Sequence, residues 1–242
     1  MTKKKFISLI DKNFLNGIAH RGLHNDEYTE NGLKAFKNAV DKGIAFEYDI
    51  HLTKDGELVV CHDEDLVRTT GKPGIIEHLT LKEIKKNYRL LDGGEIPTFK
   101  EVLELNNEKV GMVVELKVYE KNYKPLAAKA LEELSVIKDK KKVMIISFDP
   151  RSLWPFKKSG FLRSLLVAKS DDYTWIFRHT VESIDVEDIL LWERKVQRYA
   201  KRHFTNVWTI ESYDQLDKVL PHIDTCTYQY LPPEEIKKRL QK

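Results

Sequence analysis

Short apolar runs alternate with longer amphipathic segments along most of this 242-residue chain. Apolar runs of this length, bounded by turn-forming residues, are typical of buried strands. The predicted strands are 17–20, 45–52, 58–61, 111–117, 143–147, 162–168, 181–186, 206–209 and 223–226. Between them, apolar residues recur with the helical period, as Leu33, Phe36 and Val40 do in segment 31–42. The other predicted helices are 98–106, 125–134, 189–200, 213–220 and 233–240.

The repeated order of strand, helix and strand predicts an α/β fold with a parallel sheet. About eight main strands in a chain of this length favour a TIM-type (β/α)₈ barrel over a doubly wound open sheet. The usual sign of the open sheet, a GxGxxG sequence after the first strand, is absent from this sequence.

Residues 53–110 depart from the repeat, because they are more than one strand–helix connection needs. This segment carries the turn-forming residues Gly71, Pro73, Gly74, Gly93, Gly94 and Pro97. We expect it to form a hairpin through 54–56, a short helix near 81–87 and a return helix at Thr98. The chain is therefore predicted to be a single domain over residues 1–242 with a small insertion after the second strand.

A pair of carboxylates lies on one face of the second predicted strand. Side chains alternate along a strand, so Glu47, Asp49 and His51 share a face, and the apolar residues between them share the other. If the apolar face packs on helices, the carboxylates point into the barrel, where charge without compensation is strongly unfavourable. A bound hard cation such as Mg²⁺ or Ca²⁺ would compensate them. A solvated edge strand is the alternative.

Further candidates lie at the ends of other predicted strands. Glu115 and Lys117 share a face, where Glu115 can add a third carboxylate and Lys117 can meet a phosphate, or the two can form a structural ion pair. His20 and His62 each end an apolar run, and histidine is suited to proton exchange near neutral pH. Arg21 offers a planar fork for phosphate, with a salt bridge to a nearby acid as the alternative.

Composition limits the function classes. The net charge of +3 arises from 41 basic and 38 acidic residues scattered along the chain, which predicts no general affinity for nucleic acid. Cys61 and Cys226 form no CxxC pattern, so we expect two reduced, buried thiols. The apolar stretch at 6–10 is broken by Ser8 and is too short for a signal peptide or a membrane span. We expect a cytoplasmic protein without stable membrane insertion.

Taken together, these residues resemble the glycerophosphodiester phosphodiesterase family, in the family's order, across residues 17–210. The match consists of His20-Arg21-Gly22, Glu30-Asn31, Glu47-x-Asp49, Leu52-Thr53-Lys54-Asp55-Gly56, His62-Asp63 and Glu115-Leu116-Lys117, with weaker matches at Ile96-Pro97-Thr98-Phe99, Ser147-Phe148 and Val207-Trp208-Thr209. The ordered set of motifs is specific, although no single motif is specific by itself.

The resemblance implies a TIM barrel that hydrolyses glycerophosphodiesters, small-molecule substrates, to glycerol 3-phosphate and an alcohol with the help of one divalent cation. It implies metal ligands at Glu47, Asp49 and Glu115, an acid–base pair at His20 and His62, phosphate contacts from Arg21 and Lys117, and an aromatic substrate wall at Trp208. The attacking oxygen is either a neighbouring substrate hydroxyl or water. One histidine accepts its proton, and the other protonates the leaving alcohol.

Two alternative functions stay open at this point. A lysophospholipid or lipid-headgroup phosphodiesterase is suggested by the aromatic residues Trp154, Phe156 and Phe161, if they are exposed. A non-catalytic phosphate-binding barrel is suggested by residues 224–230, where the family's Thr-Asp followed closely by Pro is missing.

Overall fold

The centre of the molecule is a closed ring of eight parallel strands, seen in a computed structural model that describes residues 1–170 and 172–241. The strands are β1 (Ile18–Ala19), β2 (Ala45–Leu52), β3 (Leu58–Val60), β4 (Met112–Leu116), β5 (Val143–Ser147), β6 (Leu162–Val167), β7 (Ser183–Glu187), β8 (Thr205–Ile210) and β9 (Thr225–Tyr228). The ring runs β1-β2-β4-β5-β6-β7-β8-β9 and closes where β9 pairs with β1. Strand β3 lies outside the ring, antiparallel to β2. The predicted TIM barrel is confirmed.

Helices pack against the outer faces of these strands, as when Phe36 stacks on Phe46 of β2 at 5.0 Å between ring centroids. Within the described residues the helices are α1 (Lys3–Ile7), α2 (Leu33–Asp41), α3 (Val67–Thr70), α4 (Leu81–Asn87), α5 (Phe99–Asn106), α6 (Tyr123–Glu133), α7 (Pro150–Leu153), α8 (Arg194–Ala200), α9 (Tyr213–Val219) and α10 (Pro233–Leu240). The predicted helix 189–200 is wrong in its first part, because Asp188–Trp192 forms a 3₁₀ turn and α8 begins only at Arg194.

The N-terminal segment closes one end of the barrel. Phe6 and Phe14 are fully buried in the apolar cluster that fills the barrel interior, where Phe6 stacks on Phe204. Gly111, just before β4, makes room for this segment, because a Cβ there would lie 2.8 Å from the ring of Phe14. We call Phe6, Phe14 and Phe204 the barrel floor. Polar groups are left to gather at the opposite end, where the strands finish.

The segment between β2 and β4 folds over that opposite end. It contains β3, α3 and α4, and it has an apolar core of its own that includes Leu66, Ile76 and Ile84. Thr80 and Thr98 begin α4 and α5 with capping boxes, in which each threonine and the glutamate three residues later bond to each other's backbone. The predicted short helix at 81–87 coincides with α4. None of the helices in the described residues is long and apolar enough to cross a membrane.

Candidate active site

Three buried carboxylates meet inside the barrel. One ligand oxygen from each of Glu47, Asp49 and Glu115 lies within 4.8 Å of the others. The register of the sheet causes this meeting, because Asp49 of β2 stands opposite Glu115 of β4, and Glu47 lies two residues earlier on the same face. We call these three residues the carboxylate triad. Glu47 and Asp49 therefore point into the barrel, as the alternation of side chains along β2 predicted.

Burial makes the triad electrostatically unusual. It raises the pKa of Glu47 well above its usual range, with Asp49 and Glu115 adding to the effect, and it raises the pKa of Glu115 to about 7. Burial also opposes ionisation of Asp49, but nearby cations, led by Lys117, outweigh it and hold that pKa below its usual range. Among the described residues, Oε1 of Glu47 and Oδ1 of Asp49 have no hydrogen-bond partner. A cluster of three buried carboxylates in which two oxygens lack a donor fits a hard divalent cation.

Two cations border the triad. The Nζ atom of Lys117 lies 2.9 Å from Glu115 and 3.6 Å from Asp49. The Nη1 atom of Arg21 lies 2.7 Å from Glu30, and its Nε atom lies 3.7 Å from Asp49. The ion pairs that the sequence left open as alternatives therefore exist, and they hold both cations beside the carboxylates.

His20 stands beside the triad, and within the described residues only one of its ring nitrogens is hydrogen-bonded. Its Nδ1 atom lies 2.7 Å from Oε1 of Gln229, whose amide nitrogen in turn donates to Glu211. Because an amide oxygen only accepts, the proton of His20 lies on Nδ1, and Nε2, which is 4.0 Å from Glu47, remains able to accept a proton. Burial, helped by Arg21, lowers the pKa of His20 to about 4, so the ring is neutral near pH 7.

His62 follows β3 and is held by its neighbours. Its Nδ1 atom lies 2.6 Å from Oδ1 of Asp63, and Nε of Arg68 donates to the other oxygen of that carboxylate at 2.6 Å. Burial is the main cause that lowers the pKa of His62. His51, to which the sequence assigned no catalytic step, connects Glu77 at 2.6 Å with the backbone carbonyl of His62 at 3.2 Å. It thereby fixes the position of the His62 backbone.

Two cavities open on these groups. A small cavity of about 120 Å³ is lined by His20, Arg21, Glu47, His62, Glu115, Ile146, Phe148, Leu166, Asp185, Trp208, Thr209 and Thr227. A larger one of about 790 Å³ is lined in part by His62, Glu115, Lys117, Tyr119, Trp154 and Tyr173. His62 and Glu115 border both, so the cavities adjoin at the proposed reaction centre. Trp154 and Tyr173 are 50% and 70% exposed, which places the larger cavity at the protein surface.

A family model described as the glycerophosphoryl diester phosphodiesterase family matches residues 20–219. The chain belongs to this family. Glycerophosphodiester phosphodiesterases of Caldanaerobacter subterraneus subsp. tengcongensis and of Bacillus altitudinis are 39% and 35% identical to it over 149 and 150 residues. Each of these alignments covers 58% of this chain and 61% of the relative, so the chain matches about three-fifths of the length of these curated relatives.

Solved structures of two phosphodiesterases share the fold. An Oleispira antarctica phosphodiesterase, in complex with the product sn-glycerol-3-phosphate, has a TM-score of 0.80 and 24% identity, with 98% of this chain and 99% of that chain covered. A glycerophosphodiester phosphodiesterase of Thermotoga maritima has a TM-score of 0.72 and 26% identity, with 93% and 96% covered. The first likeness, below 25% identity, shows the fold alone.

All eight residues that the family resemblance singled out border one or both cavities or belong to the triad. Trp208 forms part of the wall of the small cavity, edge-on to Phe148 at 5.7 Å, and its Nε1 atom is buried without a partner among the described residues. Of the three aromatic residues suggested for lipid contact, Phe156 and Phe161 are buried and only Trp154 is exposed.

Sequence reasoning missed Gln229, Arg68 and Asp185. Gln229 lies in the segment whose departure from the family pattern placed the last strand in doubt, yet it contacts His20. Arg68 reaches the site from α3. Asp185 is an inward residue of β7 that lines the small cavity. The sequence pattern could have identified Asp185, because Ser183 and Asp185 alternate with apolar residues as the acidic residues of β2 do.

Proposed function

We propose that this protein hydrolyses glycerophosphodiesters to glycerol 3-phosphate and an alcohol, with His20 and His62 as the acid–base pair. The observation that carries the proposal is the placement of the two histidines around the carboxylate triad. His20 borders the small cavity, and His62 borders both cavities. A site that only bound phosphate would not need two proton-transfer groups.

The two cavities suit the two halves of such a substrate. The glycerol half is constant in size, whereas the alcohol half varies. We place the glycerol in the cavity of about 120 Å³ and the alcohol in the open one of about 790 Å³. The phosphate then lies between them, next to Arg21 and Lys117, and the relative of Oleispira antarctica holds its glycerol 3-phosphate product on the same fold. Hydrogen bonds from an arginine fork stabilise such an anion well.

This placement of the two halves of the substrate assigns a proton-transfer role to each histidine. The unprotonated Nε2 of His20 accepts the proton of the attacking oxygen, which is either the neighbouring hydroxyl of the glycerol or water. The Nε2 atom of His62 protonates the oxygen of the departing alcohol, since its Nδ1 is already bonded to Asp63. Attack by the glycerol hydroxyl gives a cyclic phosphate, which water opens in a second step with the same two groups in reversed roles.

We propose that the carboxylate triad holds one divalent cation, Mg²⁺ or Ca²⁺. The unpartnered oxygens of Glu47 and Asp49 support this assignment. When bound, the cation would neutralise charge on the phosphodiester and polarise its oxygen. Lys117 and Arg21 would then be available to the phosphate, because the cation would bind Glu115 and Asp49, which lie next to them.

The direct test is release of glycerol 3-phosphate from glycerophosphocholine, before and after treatment with EDTA and after return of Mg²⁺ or Ca²⁺. We expect release with metal and none without it. His20→Ala and His62→Ala should each lower kcat by about 10²–10⁴-fold, whereas His179→Ala, a surface change in neither cavity, should leave it unchanged. If the folded, metal-supplied protein releases no glycerol 3-phosphate from any glycerophosphodiester, the proposal is wrong.

A second candidate is a lysophospholipid or lipid-headgroup phosphodiesterase. The exposed Trp154 and Tyr173 at the rim of the larger cavity favour it, because such aromatic residues also bind lipid surfaces. Co-sedimentation with liposomes discriminates the two functions, since the lipid function requires the protein to sediment with them.

We also propose a cytoplasmic location, supported by the free, buried thiols of Cys61 and Cys226.

A further inference from the structure

Asp185 is a buried carboxyl group without a counter-ion among the described residues. It is 1% exposed, and its contacts are hydrogen bonds from the hydroxyl of Ser164 at 2.6 Å and from the amide of Asn206 at 3.0 Å. A buried carboxylate with only neutral partners is unfavourable for stability. The two neutral donors occupy one lone pair on each oxygen, but they do not compensate the charge of the carboxylate.

The position of Asp185 separates it from the carboxylate triad. In the ring of eight strands, β7 lies four strands from β2, which is the opposite side of the barrel. Asp185 nevertheless lines the same small cavity as His20 and Glu47. It faces the space that the proposed function gives to the glycerol half of the substrate.

The rest of that wall suits a small polyol. Ile146, Leu166 and Phe148 supply apolar surface for CH and CH₂ groups. Each oxygen of Asp185 accepts one hydrogen bond from the protein and keeps a lone pair for a second. The Nε1 atom of Trp208 is a buried donor without a partner in the described part of the chain. A largely apolar pocket whose wall also carries the acceptor oxygens of Asp185 and the indole of Trp208 is suited to orienting hydroxyl groups.

We propose that Asp185 is a specificity-determining residue that accepts hydrogen bonds from the free hydroxyl groups of the glycerol half, with Trp208 donating to them. This inference rests on the proposed function. Its consequence is selectivity against analogues without hydroxyls, because such a ligand leaves buried polar groups of the site unpaired. Sites that hydrogen-bond a substrate hydroxyl discriminate far better than apolar pockets do.

The test compares two ligands that differ only in hydroxyl groups, glycerol 3-phosphate and n-propyl phosphate, by calorimetry on the metal-supplied protein. The wild type should bind glycerol 3-phosphate at least about tenfold more tightly. Asp185→Ala should reduce that ratio to below about threefold and leave the affinity for n-propyl phosphate unchanged. Ser183→Ala is the matched control, since Ser183 is buried on the same strand but lines neither cavity, and it should keep the wild-type ratio.

Asp185→Asn, which keeps the shape of the side chain, covers the case in which Asp185→Ala does not fold, and it should also reduce the ratio. The inference is overturned if the wild type shows no preference, or if the folded variants keep it. The outcome is separate from the proposed function. Hydrolysis of glycerophosphocholine without a hydroxyl preference rejects only the role of Asp185, whereas a hydroxyl preference without hydrolysis rejects only the enzymatic proposal.

Discussion

Arg68 donates two parallel hydrogen bonds to Glu30, at 2.8 and 2.9 Å, and so joins helix α3 to the loop that follows β1. The same carboxylate accepts from Arg21 at 2.7 Å, and the Nε atom of Arg68 donates to Asp63, the partner of His62. One guanidinium on the surface therefore holds both the proposed general acid and the proposed phosphate-binding arginine.

Arg68→Ala should lower kcat/KM for a glycerophosphodiester by about 10–100-fold, because both groups lose their common support. Arg68→Lys should recover only part of the loss, since an ammonium cannot replace a planar fork that contacts two carboxylates. Arg68 is about half exposed, so the melting temperature should change little. Arg89→Ala, at an arginine of similar exposure in the same segment, serves as the control. Full activity of Arg68→Ala would contradict this role.

Asp63→Asn should shift the pH dependence of kcat. Burial, the largest cause, lowers the pKa of His62, and Asp63 is among the groups that raise it. Without that carboxylate the pKa falls further, so the protonated form is lost at a lower pH. We expect the basic limb of the profile to move towards acid while the acidic limb, which reflects His20, stays in place. An unmoved basic limb would show that His62 is not the acid.

Glu115→Gln should stabilise the metal-free protein at high pH. The pKa of Glu115 is raised by burial to about 7 in the folded state, above its ordinary value near 4.5, so the folded state binds the proton more tightly than the unfolded state. The carboxyl group therefore reduces the free energy of unfolding as pH rises from about 4.5 to 7. The variant should melt higher than the wild type at pH 8 in EDTA, and no higher at pH 4. It should also lose the stabilisation that added metal gives the wild type.

Cation binding should release a proton below neutral pH. Cations compete with protons for Glu47 and Glu115, whose pKa values are both raised. The affinity for Mg²⁺ or Ca²⁺ should therefore rise with pH by up to about tenfold per pH unit for each of these ligands that must lose a proton. Calorimetry in buffers of different ionisation enthalpy measures the proton directly. Binding without proton release at pH 6 would mean that Glu115 is not a ligand.

The carboxylate triad could be predicted because its signals are local and geometric. Alternation on β2 places Glu47 and Asp49 on one face, and parallel pairing brings Glu115 beside Asp49. The link between His20 and Gln229 joins residues 209 positions apart. Nothing in the local pattern around Gln229 indicates such a contact, so only the closure of the ring through β9 and β1 reveals it.

The contacts of Arg68 and the exact ends of the strands also depend on residues that are far away in the sequence. A charged residue on a short helix has many possible partners, and the choice of Glu30 depends on how the segment after β2 folds back over the barrel. Strand β1 spans only two residues where four were predicted, since the chain turns at His20 towards the triad.

The barrel floor has a kinetic consequence. Because Phe6, Phe14 and Phe204 seal one end, both products must depart through the same mouth. In the proposed orientation the alcohol occupies the larger, outer cavity and glycerol 3-phosphate the smaller, inner one, so the alcohol should leave first. Glycerol 3-phosphate should therefore inhibit competitively against the diester, and the alcohol noncompetitively, in initial-rate measurements with each product added. The reverse pattern would mean that the two halves of the substrate bind in the opposite orientation.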